Sequence, residues 1–418
     1  MKELNYDVVV IGAGAAGLAT AEVTASAGRS TLVIDRDDFA GGVLMQCIHN
    51  GFGLHHFKEE LTGPEYAERL ESAARNAGAE FLLQTTVMDF NLADSENKEL
   101  LALSPEYGVM RITAKAVMLA MGCRERNRGN IGIPGRRPAG IFTAGLAQRL
   151  INMSGLLPGK SAVIIGSGDI GLIMARRLTW SGIPVKAVVE IRPFPSGLTR
   201  NIVQCLNDFN IPLYLGHTVS KINGADRVES VEISPLVDGV PDSSRSFTIE
   251  CDTVLLSAGL IPENELSKRG GVTMNMTTGG PLVDAWRMTN IPGVFAGGNV
   301  LHVHDLADYA SDEAALAGRH ILDYLNGKRP GREFPVTAGG NLRYVTPNQY
   351  IPGEKTQFFM RSLIVEDDAE LIVSLDGQEI MRKKLRFVKP PEMLSVEVPG
   401  ELTARGGQLS FALNGGGR

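Results

Sequence analysis

Hydrophobic positions along the chain fall into one pattern that occurs twice. In its first occurrence a short apolar run over residues 7–11 meets the turn Gly12-Ala13-Gly14-Ala15-Ala16-Gly17, a helical stretch follows over 18–27, and a second apolar run covers 31–35. An amphipathic helix is expected near 66–77, short alternating strands between 81 and 113, and an apolar strand over 116–120 that ends beside Gly122. The second occurrence opens at 161–165, turns through Gly166-Ser167-Gly168-Asp169-Ile170-Gly171, runs as a helix toward 181 and returns as a strand over 185–190. Alternating strands follow between 213 and 249, then an apolar strand over 253–256 and Ser257-Ala258-Gly259. A repeat of strand, crossover helix and parallel strand calls for a doubly wound α/β sheet in each copy, with the alternating strands as a side sheet.

Beyond Gly259 comes an apolar strand over 293–296, then Gly297-Gly298-Asn299 and a strong helix over 311–325 closed by Gly327. This piece has no glycine fingerprint of its own. It therefore completes the first domain, and the second copy is an insertion. From 329 onward the alternation shortens, as in 369–373 and 394–398, with Pro and Gly between runs, which predicts a small antiparallel β domain. The tail over 414–418 is expected to be disordered. The expected fold is thus α/β: two Rossmann-like domains of three-layer ββα architecture plus the β domain, divided as 1–140 with 260–328, 141–259, and 329–418.

Composition narrows the function. A chain of 418 residues has room for two or three domains, and a net charge of -6 gives no sign of nucleic acid or anionic membrane as a partner. No apolar run approaches the roughly eighteen residues of a membrane span. Residues 1–6 lead straight into the first strand, leaving no room for a signal peptide, so a cytoplasmic location is expected. Cys47, Cys123, Cys205 and Cys251 are scattered without redox-motif or zinc-ligand spacing, which fits a reducing compartment.

Each glycine turn follows an apolar strand, opens a helix, and has an acid at the end of the next strand: Asp35 in the first copy, Glu190 in the second. The first glycine permits the tight turn, the second admits a pyrophosphate to the backbone, and the third lets helix and strand pack closely; the helix N-terminus presents N–H groups to the phosphates. The acids suit a free ribose 2'-hydroxyl. Glu190 would repel a 2'-phosphate, favouring NADH over NADPH, although Arg192 two residues on argues the other way.

With the two strand-plus-glycine endings and Phe295-Ala296-Gly297-Gly298-Asn299, the sequence resembles the pyridine nucleotide-disulfide oxidoreductase superfamily over about 7–325. The resemblance implies FAD in the first domain, NAD(H) in the second, and a hydride passed between them where the domains meet. It places Gly12, Gly14, Ala15, Ala16, Gly17, Asp35 and Arg36 on FAD, along with Gly41, Gly42 and Val43, Val87 at the adenine end, Ala120, Met121 and Gly122, and finally Gly298 and Asn299. On NAD it places Gly166, Gly168, Asp169, Ile170, Gly171, Glu190, Ala258 and Gly259. Asn299 stands where the family usually carries Asp, which changes the local charge and keeps hydrogen bonding. The loop Val43-Leu-Met-Gln-Cys47-Ile-His49-Asn-Gly51-Phe-Gly53 holds a single Cys, so a dithiol relay within it is unavailable. That loop, with Gly122-Cys123-Arg-Glu-Arg126 and Asn299-Val-Leu-His302-Val-His304-Asp305, is similar to a subgroup of FAD/NAD oxidoreductases that accompany anaerobic glycerol-3-phosphate dehydrogenases, to opine dehydrogenase α subunits and to one of the hydrogen cyanide synthase subunits. It implies an electron-transfer component working beside a second redox subunit or a small acceptor.

Several residues keep two readings. Cys47 is a candidate redox or charge-transfer thiol, or else a small buried contact, and Cys123 shares the first reading only if the fold brings it near. His302 and His304 would share one face of a strand, but a metal needs further ligands that the sequence does not show, so no metal site is assigned; substrate contact, proton transfer and polar packing stay open, as they do for His49. Arginines 124, 126, 128, 136 and 137 either receive an anion or solvate a connector. Hydride transfer requires no protein acid or base, so no catalytic residue is assigned on that ground, and Cys47 stands as a catalytic candidate only through its redox reading. Three functions follow: FAD-dependent transfer between NAD(H) and a partner or acceptor, a self-sufficient NADH oxidase or peroxidase using Cys47, or a nucleotide-binding scaffold without turnover.

Overall fold

Strand Lys2–Ile11 changes character along its length, and the sheet around it follows that change. Its last four residues, Val8 to Ile11, are apolar and buried on both faces, as a central parallel strand requires. They pair in parallel with Thr31–Ile34 on one side and with Gly108–Leu119 on the other. The computed structural model describes residues 1–92 and 96–415. The full sheet runs in the order Glu80–Leu82, Thr31–Ile34, Lys2–Ile11, Gly108–Leu119, Lys98–Ser104, Thr86–Asn91, with Val294–Ala296 joining Gly108–Leu119 in parallel. The strand expected over 116–120 is therefore the second half of a longer one. Up to Lys115 it largely alternates between exposed and buried positions, pairing antiparallel with the meander on one side and in parallel with Lys2–Ile11 on the other; its last four residues, Ala116 to Leu119, are wholly buried.

Helices Ala15–Ser26, Gly63–Asn76 and Ala307–Leu325 cover one face of this sheet. The first and last pass close together because Gly318 meets Val23, where an added Cβ would stand 3.2 Å from that side chain. Helix Gly63–Asn76 starts from a capping box, Thr62 with Glu65, reinforced by a proline in its first turn.

The chain divides into two compact units, Met1–Cys123 with Pro262–Arg418, and Arg124–Ile261. The second is built on a five-stranded parallel sheet in the order Ile141–Thr143, Thr253–Leu256, Ala162–Ile165, Val185–Glu190, Leu213–Leu215. Its side sheet, His217–Asn223, Ser230–Val237 and Phe247–Glu250, is antiparallel.

The C-terminal β region groups with the first unit. Two sheets, one of five strands and one of three, enclose Phe358, Phe411, Leu371, Val373 and Leu409. Wholly antiparallel pairing does not hold: Phe334–Gly340 and Leu409–Asn414 run parallel, because the chain crosses through the other sheet before the last strand returns. Asn414 ends that strand opposite Glu370, and residues 416–418 of the expected disordered tail lie outside the described residues. No helix among the described residues is long and apolar enough to cross a membrane.

Candidate functional site

In the first unit, strand Lys2–Ile11 ends on Gly12, whose φ of +108° only glycine adopts freely, and a Cβ there would stand 2.3 Å from the Ala120 carbonyl. Gly17 is equally constrained, since its Cβ would come within 1.8 Å of the Gly12 carbonyl. Gly14 differs. Its backbone is extended, and a Cβ would meet nothing within 4 Å. Helix Ala15–Ser26 begins there with no side-chain cap and no acidic residue in its first turn, so neither kind of side chain takes its leading N–H groups. A pyrophosphate fits that combination of open backbone and uncapped helix start. Asp35 wires the turn together: Oδ2 accepts the Ala13 N–H at 2.6 Å and Oδ1 the Asp37 N–H at 2.9 Å.

The second unit repeats the wiring. Gly166 has a φ of +96° and would press a Cβ to 2.1 Å from the Ser257 carbonyl; a Cβ on Gly168 would touch nothing closer than 3.8 Å. Gly12 and Gly166 donate to Ile34 and Val189, both at 2.8 Å, and Leu18 and Leu172 donate to Gly14 and Gly168, both at 3.0 Å. Glu190 repeats Asp35, accepting the Ser167 N–H at 3.0 Å on Oε2 and the Arg192 N–H at 3.0 Å on Oε1. The second copy adds hydroxyls, since Ser167 and Ser196 also donate to Oε2, at 2.6 and 3.1 Å. Asp169, in the first turn of helix Asp169–Trp180, accepts from the Leu198 N–H and the Asn201 amide, which holds the segment after Ser196 against the turn.

Other expected contacts converge on the first turn. Gly41 donates to the Ala13 carbonyl at 2.7 Å, and a Cβ on Gly42 would stand 3.3 Å from the Gly14 Cα. Gly298, φ +72°, would press a Cβ to 2.6 Å from the Ala16 side chain. Ala120 donates to the Ile11 carbonyl at 2.9 Å, with Met121 packed against the core that holds Ile11 and Gly122 at a φ of +70°. Val43 is exposed, whereas Val87 is buried with Ile34.

Residues 6–314 match the pyridine nucleotide-disulphide oxidoreductase family. The chain belongs to that family. Among curated relatives, the hydrogen cyanide synthase component HcnB of Pseudomonas protegens is 27% identical over 76% of this chain and 69% of its own length, and one of the opine oxidase subunits of Agrobacterium tumefaciens is 24% identical over 94% and 80%. Thioredoxin reductase from T. acidophilum shares the fold, with a TM-score of 0.63 at 24% identity over 77% of this chain and 99% of its own.

Within this family member the loop after Gly42 is a 3-10 turn, Gly42–Gln46, ending at Cys47. The Cys47 thiol donates to the Val43 carbonyl at 3.3 Å, and the Cys47 carbonyl accepts the Gly63 N–H at 2.9 Å. Further on, Asp308 accepts three backbone N–H groups, of Gly53 at 3.1 Å, His55 at 3.0 Å and His56 at 2.8 Å, and so fixes the loop to the start of helix Ala307–Leu325. His49 Nδ1 lies 2.9 Å from the Asn50 carbonyl. Asn299 accepts the His304 N–H at 2.9 Å, and its amide nitrogen stands 3.6 Å from the Cys123 sulfur.

His302 and His304 lie in a bend and not on a strand, yet both rings reach one carboxylate that sequence reasoning missed. Glu313 takes His302 Nε2 at 3.2 Å, His304 Nε2 at 2.9 Å, the Arg287 Nε at 3.0 Å and the Gly298 N–H at 3.2 Å, all of them buried. Burial pushes the His302 pKa down to about 4 and opposes charge on Glu313, but the two imidazoles beside it hold Glu313 well below the ordinary carboxylate range. These three residues offer ligand atoms within 4.8 Å of one another, the further ligand that the sequence did not show. Against a cation stands the donor set itself: the Arg287 guanidinium already neutralises Glu313, and both Nδ1 atoms lack the outer partner that ligating imidazoles usually have. The cluster therefore supports the Gly298 turn. Its sequence signal is a Glu on the stripe Ala310, Ala314, Ala317, Ile321, the buried face of the helix.

Of the arginine-rich loop, Arg128 binds its own loop carbonyls at Ile133, Pro134, Gly135 and Arg136, a structural role. Arg126 donates its N–H to the Gly259 carbonyl at 3.0 Å.

Proposed function

We propose that this chain is an FAD-dependent oxidoreductase that transfers a hydride between NAD(H) and bound FAD, and exchanges electrons with a partner subunit or a small acceptor. The observation that carries the reading is the duplicated turn: two strand-to-helix junctions, wired by the same hydrogen bonds, each with open space above the second glycine. Gly12, Gly14, Gly17, Asp35, Gly41, Gly42, Gly298 and Asn299 would hold FAD; Gly166, Gly168, Gly171, Glu190 and Gly259 would hold NAD(H). When bound, the two dinucleotides supply the redox chemistry, and the protein sets distance, stacking and field.

The chain's own part is to bind and orient. Asp35 and Glu190 lock the turns and leave carboxylate charge at the strand ends, where a ribose hydroxyl is accepted and a 2'-phosphate is repelled. The Arg192 guanidinium, the group that argues for NADPH, lies 5.8 Å from the Phe194 ring. The two relatives named as subunits, from hydrogen cyanide synthase and opine oxidase, favour a multi-subunit setting for this chain as well. A single cysteine in the Cys47 loop argues against dithiol reduction.

The test is an anaerobic titration of the purified protein with NADH and, separately, NADPH while the flavin absorbance is followed. Fast bleaching by NADH and slow bleaching by NADPH is the expected result. A protein that holds FAD and is bleached by neither refutes transfer from a nicotinamide to the flavin.

A further inference from the structure

The segment 301–305 joins the Gly298 turn to helix Ala307–Leu325 and belongs to no helix or strand. His302 and His304 within it are buried, and a buried irregular backbone must be satisfied by side chains. The C-terminal β region supplies them. Arg361, on strand Thr356–Ser362, donates from one guanidinium nitrogen to the Val303 carbonyl at 2.9 Å and to Asp305 Oδ1 at 2.5 Å, and from the other to the Pro391 carbonyl. The second Asp305 oxygen accepts the Met393 N–H at 2.5 Å. Phe359 stands 5.5 and 5.3 Å from the ring centres of His302 and His304. The Arg361 side chain is only 13% exposed, while Asp305 keeps one side toward solvent at 31%, so the pair is shielded on its guanidinium side.

This bracing reaches Asn299. Its Oδ1 accepts the N–H of His304, inside the braced segment, and that contact decides which way the amide faces, leaving the NH2 toward Cys123. Removing Arg361 would take the donor from the Val303 carbonyl and from Asp305 Oδ1, leaving Met393 as the remaining hold on Asp305, and free the segment to relax.

We propose that Arg361 is a positioning residue for the FAD site, through which the C-terminal β region braces residues 303–305 and fixes the orientation of the Asn299 amide. The inference rests on the reading of Asn299 as an FAD contact. It gives the C-terminal region a task inside the chain, in addition to any contact with another subunit.

Full-length wild type, Arg361→Ala, Arg361→Lys, Asp305→Asn and the double variant Arg361→Ala with Asp305→Asn are stripped of flavin. FAD affinity is then measured by fluorescence quenching, and the visible circular dichroism of the rebound flavin is recorded well below each Tm. Arg361→Ala raises the FAD Kd about tenfold, equivalent to ~1.4 kcal/mol, and changes the flavin dichroism. Asp305→Asn shifts both in the same direction, Arg361→Lys recovers much of the loss, and the double variant is no worse than Arg361→Ala alone because both act through one link. Wild-type affinity and dichroism in Arg361→Ala and Asp305→Asn overturn the proposal. Should Arg361→Ala fail to fold, Asp305→Asn, which keeps the side-chain shape, decides alone. A wild-type chain that takes up no FAD overturns the dinucleotide reading itself, whereas indifferent variants of a flavin-binding wild type overturn the brace only.

Discussion

Gly14 and Gly17 lie three residues apart in one turn, and the structure assigns them opposite responses to the same added methyl. At Gly17 the new Cβ would stand 1.8 Å from the Gly12 carbonyl oxygen, and 3.1 Å from the Val10 side chain, so the backbone of strand or helix must move. Overpacking against backbone costs ~3 kcal/mol or more, which lowers the Tm of the flavin-free protein by about 6–12 °C. At Gly14 the methyl meets nothing within 4 Å, and the extended backbone tolerates alanine, so Gly14→Ala leaves flavin-free stability within ~1 kcal/mol of wild type. On the proposed reading, what it obstructs is the approach of a pyrophosphate. A methyl pushed into that contact costs ~1–3 kcal/mol, or about 5- to 150-fold in FAD Kd. Scanning fluorimetry without flavin and fluorescence titration with FAD separate the two effects. Wild-type FAD affinity in Gly14→Ala would refute placement of the pyrophosphate over this turn; a large loss of flavin-free Tm in the same variant would show that the turn is a packing element only.

Glu190→Gln puts an NH2 group where at least one buried donor now points, so we expect a Tm lower by a few degrees and a narrower preference for NADH over NADPH in the bleaching assay; unchanged values for both would refute the proposed role of Glu190 at the NAD(H) ribose. Wild type and Cys47→Ala should consume peroxide equally slowly with NADH, and a rate present in wild type but lost in the variant would establish the thiol reading instead. Burial raises Asp284 from 3.8 to about 6 and Glu333 from 4.5 to about 7. Both folded values lie above the unfolded ones, so the native state holds extra protons between about pH 4 and 7, and stability from this pair is lost as pH rises through that window. The Tm of Glu333→Gln should therefore gain on that of wild type from about pH 5 to about pH 7, and parallel curves would sink the argument.

What was legible in the sequence is what local backbone geometry dictates. Both glycine turns, their flanking strands and the acids at 35 and 190 follow from residues close in sequence whose spacing leaves one way to fold. The strand expected over 116–120 was cut short because its first half alternates and its second half does not, although one backbone carries both. The parallel pairing of Phe334–Gly340 with Leu409–Asn414 depends on a crossover through a second sheet, which alternation alone does not encode. Glu313 escaped because a carboxylate on a helix is ordinarily read as solvated; only its place on the Ala310, Ala314, Ala317 stripe betrays burial. Arg361 left no signal at all, since its partners at 303 and 305 come from a distant part of the chain.

Asp308, the acceptor of three N–H groups, also limits how often its loop can stand open. Charge-assisted bonds of that kind contribute ~1.5–3 kcal/mol each, so lifting residues 53–56 away from the helix costs roughly 4.5 kcal/mol or more and leaves fewer than about one molecule in a thousand open. The stretch that follows Cys47 is in effect a stationary wall. A thiol that shuttles electrons by moving needs a loop that swings, and this one is held on both sides, by Val43 and Gly63 at its own turn and by Asp308 a few residues on, so only chemistry in place is open to it. Whatever reacts at Cys47 has to come to the sulfur, because the turn that carries it does not swing out to meet a reactant.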